Sequence, residues 1–179
     1  MGVIVTLFTD AGWCPNLNRA SWGAWAKSDR GVMRAGGVFR QECRSSNIAE
    51  ARAVANGLAT ALKEGIIHPG DTVIVQTDNC AVPAIIFNQP AKKPRSNTQA
   101  RRDIGEYASR LIAEKRLKVQ WRHVKGHAGR GKPRHVVNEY CDQVASYFLA
   151  LERSRLEPHR YAVPTYVPYG INEKEKEAA

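Results

Sequence analysis

The hydrophobic and polar positions along this chain predict strands first and helices later. Residues 3–9 are apolar and β-branched, and two short strand candidates follow, separated by a connector of hairpin length. Beyond them, apolar residues at helical spacing alternate with two more strand-like runs. The predicted strands are residues 3–9, 21–27, 32–40, 72–77 and 117–123, and the predicted helices are residues 47–63, 79–87, 98–115 and 138–153.

This order predicts an α/β fold built on one five-stranded mixed sheet. The first three strands form an antiparallel meander, and the fourth and fifth are expected to lie parallel. The continuous apolar centre of residues 72–77 indicates a strand buried on both sides, so helices are expected on both faces of the sheet. We expect one domain over residues 1–157 and a flexible C-terminal tail over residues 158–179, where no hydrophobic period is visible.

The chain is strongly basic, with 27 Lys and Arg against 17 Asp and Glu and a net charge of +10. Such a surplus predicts attraction to polyanions, of which nucleic acid is the commonest. No apolar run approaches the roughly 18 residues of a membrane-spanning helix. The N-terminus lacks the basic region of a secretory signal, and the four cysteines are widely spaced, as in reduced proteins. We therefore expect a cytoplasmic monomer with no membrane partner and no obligate protein partner.

Four acidic residues occupy positions that strand and helix patterns usually give to other residue types. Asp10 and Asp78 each follow a threonine where a predicted strand ends, and Glu50 and Asp142 lie on the inward side of predicted helices. Each has an ordinary explanation alone: a turn after a strand, a partly exposed helix edge, or, for Asp142 in a first helical turn, the helix dipole. Gathered together, the four would repel one another unless divalent ions bridged them. Oxygen ligands suit Mg²⁺ or Mn²⁺, and two such ions can act on a phosphodiester.

Short motifs around these acids resemble the ribonucleases H of type 1. The motifs are Phe8-Thr9-Asp10, Ser46-Asn47-Ile48-Ala49-Glu50, Thr77-Asp78-Asn79, Lys125-Gly126-His127-Ala128-Gly129 and Asn138-Glu139-Tyr140-Cys141-Asp142. The resemblance covers roughly residues 3–153 and implies the ribonuclease H-like fold. It also implies hydrolysis of the RNA strand of RNA–DNA hybrids, leaving 3′-hydroxyl and 5′-phosphate ends.

The resemblance implies roles for individual residues as well. Asp10, Glu50, Asp78 and Asp142 correspond to the catalytic ligands of two Mg²⁺ ions, with Asp10 bridging both, and Mn²⁺ is expected to substitute. His127 corresponds to a loop histidine that assists proton movement or product release, and His135 is the alternative for that role. Contacts with the hybrid are expected at Asn16, Ser46, Asn47, Lys92, Lys93, Arg95 and Lys125. For the basic residues among them, a solvated surface is the alternative interpretation.

Three positions depart from the family pattern, and three other functions compete with the resemblance. Asp10 is followed by Ala11 rather than the usual glycine, Ala49 stands where many members have methionine, and Cys80 stands where bacterial members often have glutamine. The competing functions are a nuclease of the same fold acting on junctions or DNA, a non-catalytic hybrid-binding module, and a zinc-binding module. The zinc ligands would be His123, His127, His135 and Cys141, whose spacing fits no common zinc class.

Overall fold

The computed structural model describes residues 2–90, 98–124 and 133–171. Five strands and four helices lie in these ranges, in the order that the hydrophobic pattern predicts. They are β1 (Ile4–Cys14), β2 (Arg19–Ser28), β3 (Gly31–Val38), α1 (Ser46–Lys63), β4 (Thr72–Thr77), α2 (Val82–Ile86), α3 (Gln99–Glu114), β5 (Lys118–His123) and α4 (Pro133–Leu156).

The strands form one mixed sheet in the order β3-β2-β1-β4-β5. The meander is antiparallel, and β4 pairs parallel with both β1 and β5, so the predicted sheet is confirmed. The ladder between β1 and β4 ends at the pair Phe8 and Gln76. Asp10 and Asp78 each lie two residues beyond this pair. The topology therefore brings both acids to the same edge of the sheet.

Helices cover both faces of the sheet, as predicted. Because side chains alternate along a strand, the odd-numbered and even-numbered residues of β1 face opposite helices. Leu7 and Thr9 contact α1 at Gly57, whereas Phe8 clusters with Cys141 of α4. The remaining helices α2 and α3 pack against α1. Two of the predicted acidic ligands, Glu50 and Asp142, are thus carried by helices on opposite faces.

Strand β1 is longer than the sequence pattern predicts. The predicted end of this strand at residue 9, with a loop or turn over residues 11–19, is wrong, because residues 10–14 continue the antiparallel ladder with β2, down to the pair Cys14 and Arg19. The turn follows only then, and Asn18 closes it in the left-handed region at φ 50°. Pairing with β2 therefore overrides the weak local strand propensity of this segment.

Helix α4 begins earlier than predicted. Its first residue is Pro133, whose missing N–H causes no loss in a first helical turn. The predicted start at residue 138 is wrong, because Asn138, a plausible N-cap by its residue type, lies within the helix and is buried. Asp142 is accordingly the tenth residue of α4, too far from the helix start for the dipole to account for its position.

Residues 158–171 contain no helix or strand, yet the last of them contact the body of the protein. We call residues 164–171 the C-terminal strap. Ile171 is 7% exposed and packs with Val144 and Phe148 of α4. The Tyr140 hydroxyl donates to the Tyr169 carbonyl at 2.9 Å. The predicted boundary at residue 157 and the predicted flexibility of the tail stay predictions.

Within the described ranges, none of the helices combines the length and apolar character that crossing a bilayer requires.

Candidate active site: a carboxylate cluster at the sheet edge

Three of the four predicted acids meet at one place. Asp10, Glu50 and Asp78 each offer a carboxylate oxygen, and these oxygens all lie within 4.8 Å of one another. Asp10 comes from the middle of β1, Glu50 from the start of α1, and Asp78 from the residue after β4. Three elements distant in sequence thus converge on a volume suited to one or two cations.

Asp142 approaches the cluster from the other face of the sheet. Its charge acts on Asp10, whose pKa it helps to raise. Its carboxylate does not join the group of oxygens within 4.8 Å. The structure therefore brings Asp142 close to Asp10 while keeping it outside the tight cluster of three.

Asp10 and Glu50 are buried whereas Asp78 is half-buried, and burial dominates the electrostatics of the first two. The exposed fractions of Asp10 and Glu50 are 9% and 8%. Loss of hydration raises the pKa of both carboxyls, and the neighbouring charge of Asp78 raises each further. Against this, the backbone N–H of Ala11 donates to Asp10 Oδ1 at 2.8 Å and lowers the pKa. Two buried acids that disfavour their charged forms indicate a site built for a compensating cation.

The donor set fits a hard divalent ion. All three groups are carboxylates, the ligand type that Mg²⁺ and Mn²⁺ prefer. Glu50 Oε2 is buried and has no hydrogen-bond partner among the described residues. A buried oxygen without a donor costs on the order of 1–3 kcal/mol, which metal coordination would remove. The residues present therefore fit the predicted metal site.

A network of hydrogen bonds holds the segment that carries Asp78. The Thr77 hydroxyl accepts from the backbone N–H of Asn79 at 3.2 Å. The Asn79 side chain accepts from the N–H of Ala81 at 2.9 Å. From β5, His123 Nε2 lies 3.0 Å from the Asp78 carbonyl oxygen. Asp78 is thus fixed from both sides, although it lies outside the strand.

Sequence reasoning missed two residues of this network. His123 appears above only as a possible zinc ligand, but its side chain is exposed and reaches the backbone of Asp78. Asn79 appears there only as part of a motif, yet its amide nitrogen donates to Asn47 Oδ1 at 2.8 Å. The signal for Asn79 was present, because asparagine after a strand commonly makes such a turn. The signal for His123 was absent, since only the strand order places it beside Asp78.

Close packing sets how deeply α4 lies on the sheet. A Cβ at Gly23 would be 2.2 Å from the Cys141 carbonyl oxygen, so only glycine allows this approach. The Ser21 hydroxyl donates to the carbonyl of Ala145 at 2.5 Å. Gly23 is the cross-strand partner of Asp10. The contact that places the helix backbone next to Asp142 is therefore directly beside Asp10.

Of the other predicted site residues, some lie within the described ranges and the rest lie outside them. Asn16 lies exposed in the turn after β1, and Ser46 and Asn47 lie exposed in the first turn of α1. His135 is in the first turn of α4 rather than in a loop. The remaining predicted residues, Lys92, Lys93, Arg95, Lys125 and His127, lie outside the described residues.

The described residues argue against a zinc site. Cys141 is completely buried, and its thiol points at the Phe8 carbonyl oxygen, 3.6 Å away. Burial holds the pKa of this thiol well above its usual value, which disfavours the thiolate that zinc requires. Within the described ranges, the cluster of Asp10, Glu50 and Asp78 is the group able to hold a metal.

A cleft of about 620 Å³ lies between α1 and α3. Its lining carries Arg40 and Arg52 together with the polar side chains of Asn56 and Gln99. Arg52 also bonds the carbonyls of residues 41 and 42, just before α1 begins. The lining also includes Asp103, so the cleft is polar with two arginines and one acid, and one of its walls belongs to the helix that carries Glu50.

Solved structures share this fold. The N-terminal RNase H domain of Rv2228c from Mycobacterium tuberculosis superposes with a TM-score of 0.64 at 20% identity, covering 87% of this chain and 99% of that one. RNase H1 from the archaeon Halobacterium salinarum gives 0.57 at 21% identity, covering 82% and 97%. LC11-RNase H1, solved in complex with an RNA/DNA hybrid, gives 0.58 at 16% identity, covering 79% and 94%.

The sequence itself supplies the assignment. No curated protein gives a significant match. The sequence model of the RNase H family, however, matches residues 3–149, which include all four predicted acidic ligands. This match confirms the resemblance and the predicted class of enzyme. The chain belongs to the RNase H family.

Proposed function

We propose that this protein hydrolyses the RNA strand of RNA–DNA hybrids at a site holding two divalent metal ions. The observation that carries the proposal is the cluster of Asp10, Glu50 and Asp78, whose carboxylate oxygens lie within 4.8 Å of one another. It lies in a chain that belongs to the RNase H family. The LC11-RNase H1 structure with an RNA/DNA hybrid supports the choice of substrate.

Asp10, Glu50, Asp78 and Asp142 would hold the metal ions. When bound, two Mg²⁺ ions supply Lewis-acid activation of the attacking water and of the leaving oxygen, and Mn²⁺ would serve as well. The chain's own residues position that chemistry. Asp10 is central, because its carboxylate belongs to the tight cluster and its pKa is also raised by the charge of Asp142. Asp142 would complete the site from α4.

The reaction would leave 3′-hydroxyl and 5′-phosphate ends. We propose His127 as the group that moves a proton or helps product leave, since an imidazole titrates near neutral pH. His135 is the less suitable choice because it lies within α4. Asp10 and Glu50 are buried, so bulk water would have little access to their carboxylates at the proposed site.

The hybrid would be held by polar residues at the metal site and basic residues around it. Asn16, Ser46 and Asn47 are exposed near the ends of β1 and α1, where they could contact the minor groove and its ribose hydroxyls. Lys92, Lys93, Arg95 and Lys125 would contact phosphates. The arginine-lined cleft between α1 and α3 adds a further surface for backbone phosphates. Binding should accordingly weaken with salt.

The test is cleavage of labelled substrates of four kinds: RNA–DNA hybrid, double-stranded RNA, duplex DNA and a four-way junction. We expect Mg²⁺-dependent cutting of the hybrid's RNA strand alone. Asp10→Asn and Asp78→Asn should each lower the rate by about 100-fold or more, since even the partners of metal ligands are worth about 10–100-fold. The matched control is Asp29→Asn, an exposed carboxylate in the turn between β2 and β3.

Three outcomes would contradict the proposal. Junction or duplex DNA cutting without hybrid cutting would assign a different substrate to the same fold. Hybrid binding without cutting in Mg²⁺ or Mn²⁺ would indicate a non-catalytic module. Equal loss of activity in the Asp29→Asn control would show that general charge, rather than the carboxylate cluster, governs the rate.

A further inference from the structure

Asn47 and Asn79 form a hydrogen-bonded pair beside the carboxylate cluster. Asn47 lies in the first turn of α1, three residues before Glu50, and Asn79 directly follows Asp78. The Asn79 Nδ2 atom donates to Asn47 Oδ1 at 2.8 Å. The bond therefore links the two segments that carry Glu50 and Asp78.

The surrounding bonds determine the orientation of both side-chain amides. A backbone N–H can only donate, so the atom of Asn79 that lies 2.9 Å from the Ala81 nitrogen must be its oxygen. The other terminal atom of Asn79 is then nitrogen, which can only donate. Its partner on Asn47 must therefore be the oxygen. The backbone N–H of Ala81 thus fixes the orientation of the Asn79 amide, and the Asn79 amide in turn fixes that of Asn47.

The consequence is that Asn47 turns its oxygen toward Asn79 and presents its NH₂ group, a donor, on its outer side. Its oxygen is engaged by Asn79, and its NH₂ group lies at the opposite corner of the amide on an exposed side chain. Nucleic-acid minor grooves present acceptors at every base pair, namely purine N3 and pyrimidine O2. The ribose 2′-oxygen adds another acceptor on RNA. The Asn47 NH₂ group, held as a donor, would therefore match these acceptors whatever the base sequence of the hybrid.

We propose that Asn79 is a positioning residue that holds the Asn47 amide as a donor toward acceptor atoms in the minor groove of a bound hybrid. This inference rests on the proposed function. It explains how the site could accept hybrids of many sequences, because the acceptor pattern is the part of the minor groove that all base pairs share. Without Asn79, the Asn47 amide could rotate by half a turn and present its oxygen instead.

The test compares wild type with Asn79→Ser, Asn47→Ala and the double variant in steady-state hybrid cleavage. Serine can still accept from the Ala81 N–H but is too short to reach Asn47, so the turn is kept while the pair is lost. We expect Asn79→Ser to raise KM by about 3- to 10-fold, the worth of one hydrogen bond. The kcat and the Mg²⁺ concentration for half-maximal rate should stay within about twofold. A merely structural role would change the Mg²⁺ dependence as well.

The double variant decides whether the two residues act as one unit. We expect it to be no worse than Asn47→Ala alone, because Asn79 would act only through Asn47. Additive losses in KM would overturn the inference, as would an unchanged KM in Asn79→Ser. Gln120→Ala, which removes an exposed amide on the edge strand β5, is the matched control and should leave KM unchanged.

Modified hybrids identify which acceptor is contacted. One series of hybrids replaces purine N3 by C–H, and another replaces one ribose by deoxyribose. At a single position of the hybrid, the replacement should weaken binding by the wild type but leave binding by Asn47→Ala unchanged. No position of this kind in either series would contradict the donor role. If this difference between wild type and Asn47→Ala occurs only in the deoxyribose series, the contact is with the 2′-oxygen. If it occurs only in the N3 series, the contact is with the bases.

A measurement on the free protein separates this inference from the proposed function. In amide NMR spectra, one Asn79 side-chain proton should exchange with solvent more slowly than either side-chain proton of Asn47. Asn79→Ser should shift the Asn47 side-chain signals. Protection of Asn47 instead of Asn79 would overturn the assigned orientation even if the hybrid is cut. Failure of wild type to bind or cut hybrids would instead remove the proposed substrate, and with it the groove contact.

Discussion

The carbonyl oxygen of Cys141 lies so close to Gly23 that a methyl group on Gly23 would be 2.2 Å from it. Gly23 pairs across the sheet with Asp10, and Cys141 precedes Asp142 in α4. The absence of a side chain at one position of β2 thus sets the distance between two acids on different elements. This relationship leads to the first prediction.

Gly23→Ala should separate α4 from the sheet and impair the metal site. Overpacking a closely packed contact costs typically about 1–3 kcal/mol in the free energy of unfolding. Because the displaced backbone carries Asp142, the Mg²⁺ concentration for half-maximal cleavage should also rise. Urea denaturation and Mg²⁺ titration measure the two effects. Gly37→Ala is the control, since its Cβ would meet only the Trp22 side chain, at 3.3 Å.

The metal-free protein should lose stability as pH rises. Burial and mutual repulsion raise the pKa of Asp10 and Glu50, so the folded state binds more protons than the unfolded state above the ordinary carboxyl range near pH 4. Stability therefore falls with increasing pH until both groups ionise in the folded protein. Asp10→Asn should raise the metal-free stability at pH 8 by on the order of 1–3 kcal/mol and flatten the profile.

Mg²⁺ should reverse that loss and release protons on binding. Calorimetry in two buffers of different ionisation enthalpy measures the proton release at pH 7, and thermal unfolding with and without Mg²⁺ measures the stabilisation. Proton uptake, or stability that rises with pH without metal, would contradict the raised pKa values.

The opposite end of the sheet should respond to acid. Asp71 is 1% exposed, forms an ion pair with Arg30 at 2.6 Å and accepts the N–H groups of Val3 and His68. These bonds hold its pKa well below the usual range. The stabilisation is complete above the unfolded carboxyl pKa near 4 and is lost as pH falls through the folded value. Asp71→Asn should lower stability at pH 7 and reduce its dependence on pH below 4. Glu42→Gln, an exposed acid, serves as the control.

Truncating Ile171 should loosen the C-terminal strap. Ile→Ala at a buried site costs about 2–5 kcal/mol, and a site near the chain end should lie at the lower limit. Val163→Ala, at a residue that is 66% exposed, should change stability by less than about 0.5 kcal/mol. Chemical denaturation of both variants compares them directly. Equal stability of the two would show that the strap adds nothing to the folded protein.

The sequence predicted the sheet and the three clustered acids because each depends on local patterning. Asp10, Glu50 and Asp78 are conspicuous as charges in otherwise apolar elements, and the meander follows from its short connections, whereas the pairing of β1 with β4 is known from the structure. The start of α4 was predicted too late because residues 124–137 are rich in glycine and basic residues, which masks a helix beginning at Pro133. The turn made by Asn79 has a local signal, but its bond to Asn47 and the contact of His123 with Asp78 join residues 32 and 45 positions apart, which no local pattern reveals. The cytoplasmic location, the monomeric state and the domain boundary stay predictions.

The position of Asp10 inside β1 has a consequence for how the site comes apart. Antiparallel pairing with β2 continues for four residues beyond Asp10, whereas Asp78 follows the last residue of its strand. Segments in the middle of a ladder open only when much of the domain unfolds, but strand ends fray at little cost. Side-chain bonds hold the Asp78 segment, but they are fewer than the ladder bonds on both sides of Asp10, so opening of the cluster should begin at Asp78. At the proposed metal site, Asp10 would then be the ligand that stays in place and Asp78 the one that moves when metal or product leaves.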